Sequence, residues 1–206
     1  PDIRFYDVRE TPFSIYGLYR PETEPVFKRL PDQVAKNVSE TVEQLYANTS
    51  GGRVRFSTDS RYVAIRAEMP YIANRSIMSL LCSAGFDIYI QEGGKEVYWS
   101  SYRPPVDMTD GYENIVYFPD RRHREITLYF PLYNEVNQLF VGLEKDASVG
   151  KGAEYRISSP VIYYGSSITQ GASASRPGMC YEAIISRKLN CDFRNFGFAA
   201  GAKGER

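Results

Sequence analysis

The sequence predicts a mainly β fold: an N-terminal antiparallel β-sandwich, jelly-roll-like, followed by the first strand, helix and strand of an α/β unit. Three observations carry this. The 206 residues hold 17 Tyr and 11 Phe against 4 Met, and flat rings pack well on a pleated surface. Between residues 53 and 144, short runs alternate apolar with polar residues, the period of a half-buried strand. After Lys145 the alternation gives way to an apolar strand, a polar loop and a helical pattern.

Up to about residue 30, turn signals mix with aromatic pairs. PDQVAKNVSETVEQLYANTSGG then reads as one amphipathic helix: Val34, Val38, Val42 and Leu45 form a packing stripe, Asp32 caps the start, and the Gly51–Gly52 pair lies just past the end. RVRFST (53–58), RYVAIRAEM (61–69), SLLCSAGFDIYIQ (79–91), EVYWSSY (96–102), NIVYFP (114–119), EITLYFP (125–131) and NQLFVGLE (137–144) read as strands separated by Gly- and Asp-rich turns. The run from Pro160 to Tyr164 reads as a buried parallel strand. PGMCYEAIISRKLN reads as a helix starting near Pro177, with Tyr181, Ile184, Ile185 and Leu189 on one face, and CDFRNFG as a second strand. One such unit cannot bury both faces of a parallel sheet. The expected division is therefore a complete β domain over 1–155 and the N-terminal part of an α/β domain over 156–206, whose C-terminal part lies elsewhere.

Lys and Arg (25) balance Asp and Glu (25), so no overall field draws in nucleic acid or anionic lipid. The RRHR run (121–124) reads as a solvated hairpin end. No stretch approaches the ~20 apolar residues of a membrane helix, and PDIRFYDVRE has no apolar signal core. Cys82, Cys180 and Cys191 are odd in number and lack metal-ligand spacing, which reads as buried free thiols. No metal and no organic cofactor is implied.

The loop Gly165-Ser-Ser-Ile-Thr-Gln-Gly171 sits where a strand ends, the place where α/β folds put ligands. It is neither a P-loop nor G-x-S-x-G. A serine there holds its hydroxyl at the sheet rim, with its own N–H free to face an oxyanion. By spacing alone the loop fits a simple turn as well as a catalytic one.

From Pro160 onward, PVIYYGSSITQGASASRPGMCYEAIISRKLNCDFRNFGFAAGAKGE resembles the start of the SGNH (GDSL-like) hydrolases, in the branch whose first block reads YG-[ST]-SITQG with ASRPGM downstream. YGLYRPE, FKRLP, GGRVRFSTDS and VAIRA resemble the β-sandwich that precedes the catalytic domain in such esterases. The resemblance implies Ser167 as nucleophile, with Ser166 standing where many members carry Asp. The second block, N-x-G-F-[SA]-G, falls on Asn195 to Ala200, with Gly201 following. There Asn195, Gly197 and Gly165 are supporting block residues, and Ala200 stands where the oxyanion glycine is usual. The oxyanion donors implied are the N–H groups of Ser167 and of Ala200 or Gly201. The family's further Asn and its Asp-x-x-His have no match. Three arginines neighbour the single histidine, His123, and nothing in the sequence places it near Ser167.

The resemblance implies a serine carboxylic-ester hydrolase acting on a small-molecule or carbohydrate ester, acetyl foremost, secreted or periplasmic. These 206 residues would be inactive by themselves. The rival readings are a carbohydrate-binding β-sandwich without catalysis, with Trp99, Tyr98 and Tyr102 as a sugar platform, and an assembly domain that exposes an unfinished sheet. Arg176 could hold a substrate group or pair with an acidic neighbour.

Overall fold

The computed structural model describes residues 2–204; residue 1 and residues 205–206, the outer ends of the two expected segments, lie outside them. The chain begins with β1 (Ile3–Asp7), β2 (Ser14–Tyr16), α1 (Asp32–Val38) and α2 (Glu40–Leu45). A β-rich stretch follows: β3 (Arg53–Thr58), β4 (Tyr62–Glu68), α3 (Leu80–Ala84), β5 (Phe86–Glu92), β6 (Lys95–Tyr102), β7 (Gly111–Tyr117), β8 (Arg124–Tyr129), β9 (Gln138–Glu144) and β10 (Val149–Lys151). The chain then runs through β11 (Ile157–Gly165), α4 (Ser167–Gln170), α5 (Tyr181–Leu189) and β12 (Cys191–Gly197).

Two antiparallel sheets result, one ordered β1-β9-β4-β7 and the other β10-β3-β8-β5-β6. β2 and β10 share one edge of β3 end to end, β2 opposite Arg53 to Arg55 and β10 opposite Phe56 to Thr58. Alternation puts Val63, Ile65, Val141 and Leu143 of the first sheet against Val54, Phe56, Ile88 and Leu128 of the second in one buried cluster. This is the expected sandwich.

The second sheet is covered on its outer face too, which is why every residue of β3 is buried. Tyr89 and Tyr129 point outward from it and join Cys82, Leu132, Tyr133, Cys180, Ala183 and Phe193 in a second cluster. The parallel pair β11/β12 therefore reaches the sandwich through β12 and α5. All three cysteines are buried free thiols, and burial pushes the Cys82 thiol up to about 11.

Four expectations on the elements are corrected. The single helix is two, because Ser39 is extended (φ −168°) and its Oγ accepts the Val42 N–H to cap α2. The break changes the helical phase, so Val34 is exposed while Ala35 and Val42 are buried with Phe198. Residues 79–91 are not one strand: the Ser79 hydroxyl accepts the Cys82 N–H and starts α3, and β5 begins only at Phe86. On α5 the buried residues are Glu182, Ala183 and Ser186, while Tyr181 and Leu189 are exposed. Ala183 and Ser186 are small enough to let this helix lie close to the sandwich, where the Arg187 guanidinium stacks on Tyr89 at 4.3 Å. Finally, β11 is parallel as expected but not buried, with Ile157, Val161, Ile162 and Tyr164 exposed; among the described residues it pairs with β12 alone.

Candidate active site

β11 ends at Gly165 and the chain turns through Ser166 into α4, so Ser167 opens a short helical turn at the carboxyl rim of the β11/β12 pair. A Cβ on Gly165 would fall 2.0 Å from Thr169 Oγ1, so only glycine lets α4 fold back on the strand. The Ser167 carbonyl is held by the Tyr133 hydroxyl at 3.2 Å and by the Ala172 N–H at 2.8 Å. Its hydroxyl and its N–H, by contrast, make no hydrogen bond among the described residues. The residue is half-buried, and the neighbouring Ile168 is exposed.

β12 brings the second block to this turn. Buried Asn195 donates from Nδ2 to the Thr169 carbonyl at 2.6 Å and accepts the Gly197 N–H on Oδ1 at 2.8 Å. A Cβ on Gly197 would lie 2.2 Å from the Gln170 nitrogen, so the strand end and α4 are in backbone contact. The Phe198 N–H donates to the Gly165 carbonyl at 3.0 Å, and the Ala199 N–H to Gln170 Oε1 at 2.9 Å. The Ser167 turn and the second block thus form one hydrogen-bonded body.

The two candidate donors part company here. Gly201 donates its N–H to the Phe198 carbonyl at 2.7 Å, closing a tight turn. Ala200 has φ 61°, the left-handed region, and its N–H is unpaired among the described residues. An alanine reaches that region at a cost of roughly 1–2 kcal/mol.

Several residues of this body escaped the sequence reading. Gln170 is fully buried; its Nε2 donates to Asn48 Oδ1 and to the Leu132 carbonyl, both at 3.3 Å, and its carbonyl accepts the Ser50 hydroxyl at 2.6 Å. Its place inside the SITQG block was the available signal. Tyr133, Ser50 and Arg29 carried none, since their partners lie far along the chain.

Other candidates lie elsewhere. His123 is exposed and meets Glu125 Oε1 at 3.2 Å. It precedes β8 while Tyr133 follows it, so a six-residue strand, about 20 Å, intervenes. The Arg176 Nε lies 3.5 Å from Asp87 Oδ2, and its guanidinium stacks on Tyr98 at 3.9 Å. Burial pushes the Asp87 carboxyl up, although the Ser101 hydroxyl, the Gly178 N–H and Arg176 oppose it. Tyr102 is in the core, and the Trp99 ring packs on Phe118, so the three rings form no common platform. The RRHR run is not a hairpin end: it links β7 of the first sheet to β8 of the second, with Arg121 paired to Asp59 and Asp146, Arg122 to Glu92, and Arg124 buried against Asp120.

Comparison with known proteins decides the family. The GxDLY family, described as the N-terminus of SGNH-hydrolase-type esterases, matches residues 3–149. The chain belongs to the SGNH-hydrolase-type esterases. The GDSL-like lipase/acylhydrolase family matches residues 158–206 of this esterase-family chain. Among solved structures, a Bacteroides ovatus ATCC 8483 protein described as GDSL-like lipase in type superposes with a TM-score of 0.87 at 30% identity, over 98% of the chain and 58% of its own length. A salicylyl-acyltransferase from a tetracycline biosynthetic pathway gives 0.73 at 21% identity, over 97% of the chain and 55% of its own. A family two carbohydrate esterase from Cellvibrio japonicus gives 0.53 at 9% identity, over 96% and 52%. The last two share the fold. The chain spans little more than half the length of each of these structures. No curated protein matches it. No helix among the described residues is long and apolar enough to cross a membrane.

Proposed function

We propose that this chain carries the nucleophile and part of the oxyanion hole of a serine carboxylic-ester hydrolase, divided into a sandwich domain over 1–155 and the N-terminal part of the catalytic domain over 156–206. The observation that carries the reading is the Ser167 turn: a hydroxyl without a partner among the described residues, on a backbone locked to the block that carries the Ala200 N–H. Ser167 Oγ attacks the ester carbonyl carbon. The carbonyl electrons move onto oxygen, and the N–H groups of Ser167 and Ala200 receive the resulting oxyanion. Gly201, already committed to Phe198, is the weaker donor candidate. Collapse of the intermediate expels the alcohol and leaves an acyl-serine, which water then hydrolyses.

A serine hydroxyl needs a base to take its proton. His123, the single histidine of the sequence, faces Glu125 away from the site. The base is therefore assigned to polypeptide outside these 206 residues, and the 206 residues alone are expected to be nearly inactive. The proposed substrate is an acyl ester on a small molecule or carbohydrate, acetyl foremost, with a secreted or periplasmic location. The family match and the lipase-like structure at 30% identity support an ester. The carbohydrate half rests on the resemblance of the block sequence, and the shared fold of the Cellvibrio japonicus esterase is compatible with it.

Hydrolysis of p-nitrophenyl acetate by the full-length protein tests the reading. Ser167→Ala is expected to lose at least ~1000-fold in kcat. Equal hydrolysis by both proteins would remove Ser167 from the chemistry.

A further inference from the structure

Arg29 precedes α1, about 165 residues before the second block, and is 1% exposed. Its Nη1 donates to the Gly197 carbonyl at 2.5 Å and to the Asn195 carbonyl at 3.3 Å, and its Nη2 to the Leu45 carbonyl at 2.7 Å. Its guanidinium lies 4.2 Å from the centroid of the Phe198 ring. Among the described residues no carboxylate pairs with it, and burial lowers its pKa to about 9.

A buried cation without a counter-ion is costly, and an apolar side chain would fill the same space more cheaply. What the guanidinium supplies is direction. The Gly197–Phe198 peptide is planar, with its C=O bound to Arg29 and its N–H bound to the Gly165 carbonyl at 3.0 Å. Both sides of that plane are fixed, two residues before Ala200.

We propose that Arg29 is a positioning residue for ester hydrolysis: by holding the Gly197 carbonyl it aims the Ala200 N–H at the oxyanion. The inference rests on the reading of Ser167 and Ala200 given above. Arg29 touches no reacting atom in this account. It acts through the loop, and its loss is felt in the transition state rather than in substrate binding.

The test uses the full-length protein with Arg29→Lys and Arg29→Met, p-nitrophenyl acetate as substrate, and phenylboronic acid as a mimic of the tetrahedral state. A lysine keeps a charge but lacks the fork that spans Leu45 and Gly197. Both variants are expected to lose about 10–100-fold in kcat, with KM within ~threefold, and to lose boronate affinity in proportion. A merely structural role would lower the melting temperature and leave kcat per folded molecule and boronate affinity unchanged. That result overturns the proposal. Should Arg29→Met not fold, Arg29→Lys decides by the same criteria; if neither folds, Arg29 is structural and the proposal is likewise overturned. Ser167→Ala is measured alongside. If it stays active, the hydrolase reading has failed; if it is inactive while the Arg29 variants match wild type, only the inference has failed.

Discussion

Glu182 stands on the buried side of α5, fully covered, with neither carboxyl oxygen hydrogen-bonded among the described residues. Burial pushes its pKa from 4.5 up to about 7. The folded protein therefore holds this proton more tightly than the unfolded chain. The associated stability is fully present below pH 4.5 and is lost as the pH rises through about 7. Glu182→Gln cannot ionise, so its stability relative to wild type should improve between pH 5 and pH 8, by on the order of 3 kcal/mol. Urea midpoints at the two pH values check this; an identical difference at both would contradict it. Ala200 illustrates the same scale. Its positive φ is a local cost borne at one of the two positions proposed to donate an N–H to the oxyanion.

Among the elements, the joint between α4 and the end of β12 matters most. Gly197→Ala would drive a Cβ into the Gln170 backbone, now 2.2 Å from that position, and part the nucleophile turn from the second block. It is expected to cost more than ~2 kcal/mol and to abolish hydrolysis in whatever folded protein remains; wild-type melting and turnover would contradict the joint's role. Alternation and short apolar runs made most strands of the sandwich legible: β3, β4, β6, β8 and β9 fall where the sequence placed them, including β3, which is buried on both faces. α3 was not, since the apolar run of residues 79–84 has no period that separates a strand from a short buried helix. The break at Ser39 is a cap inside a continuous helical pattern. Around the site, Gly165, Asn195 and Gly197 were legible as block residues. Gln170 was missed although it lies in the SITQG block; Ser50, Tyr133 and Arg29 were not legible, because the hydrogen bonds that tie them to the Gln170, Ser167 and Gly197 carbonyls join segments 34 to 168 residues apart.

On the scale of the whole molecule, the sandwich and the β11/β12 unit share an interior. Arg53 of β3 is fully buried, ion-paired with Asp192, and stacked on Phe193 at 4.0 Å. Leu132 and Tyr133 follow β8 into the cluster that holds Cys180, Ala183 and Phe193. Arg29, Ser50 and Tyr133 reach the carbonyls of Gly197, Gln170 and Ser167. This arrangement makes the sandwich a brace for the Ser167 turn rather than a separate module on a tether. The opposite side of the unit, the exposed apolar strand β11, is where the remaining part of the catalytic domain is proposed to pack.

The most direct measurement is covalent capture. The full-length protein is treated with a fluorophosphonate ester, which modifies a serine only when its hydroxyl is activated beside oxyanion donors, and the adduct is located by peptide mass spectrometry. The account predicts a single modified residue, Ser167, with loss of hydrolysis in step with labelling. Hydrolysis that continues with Ser167 unmodified, or an adduct on another serine that abolishes it, would contradict the account.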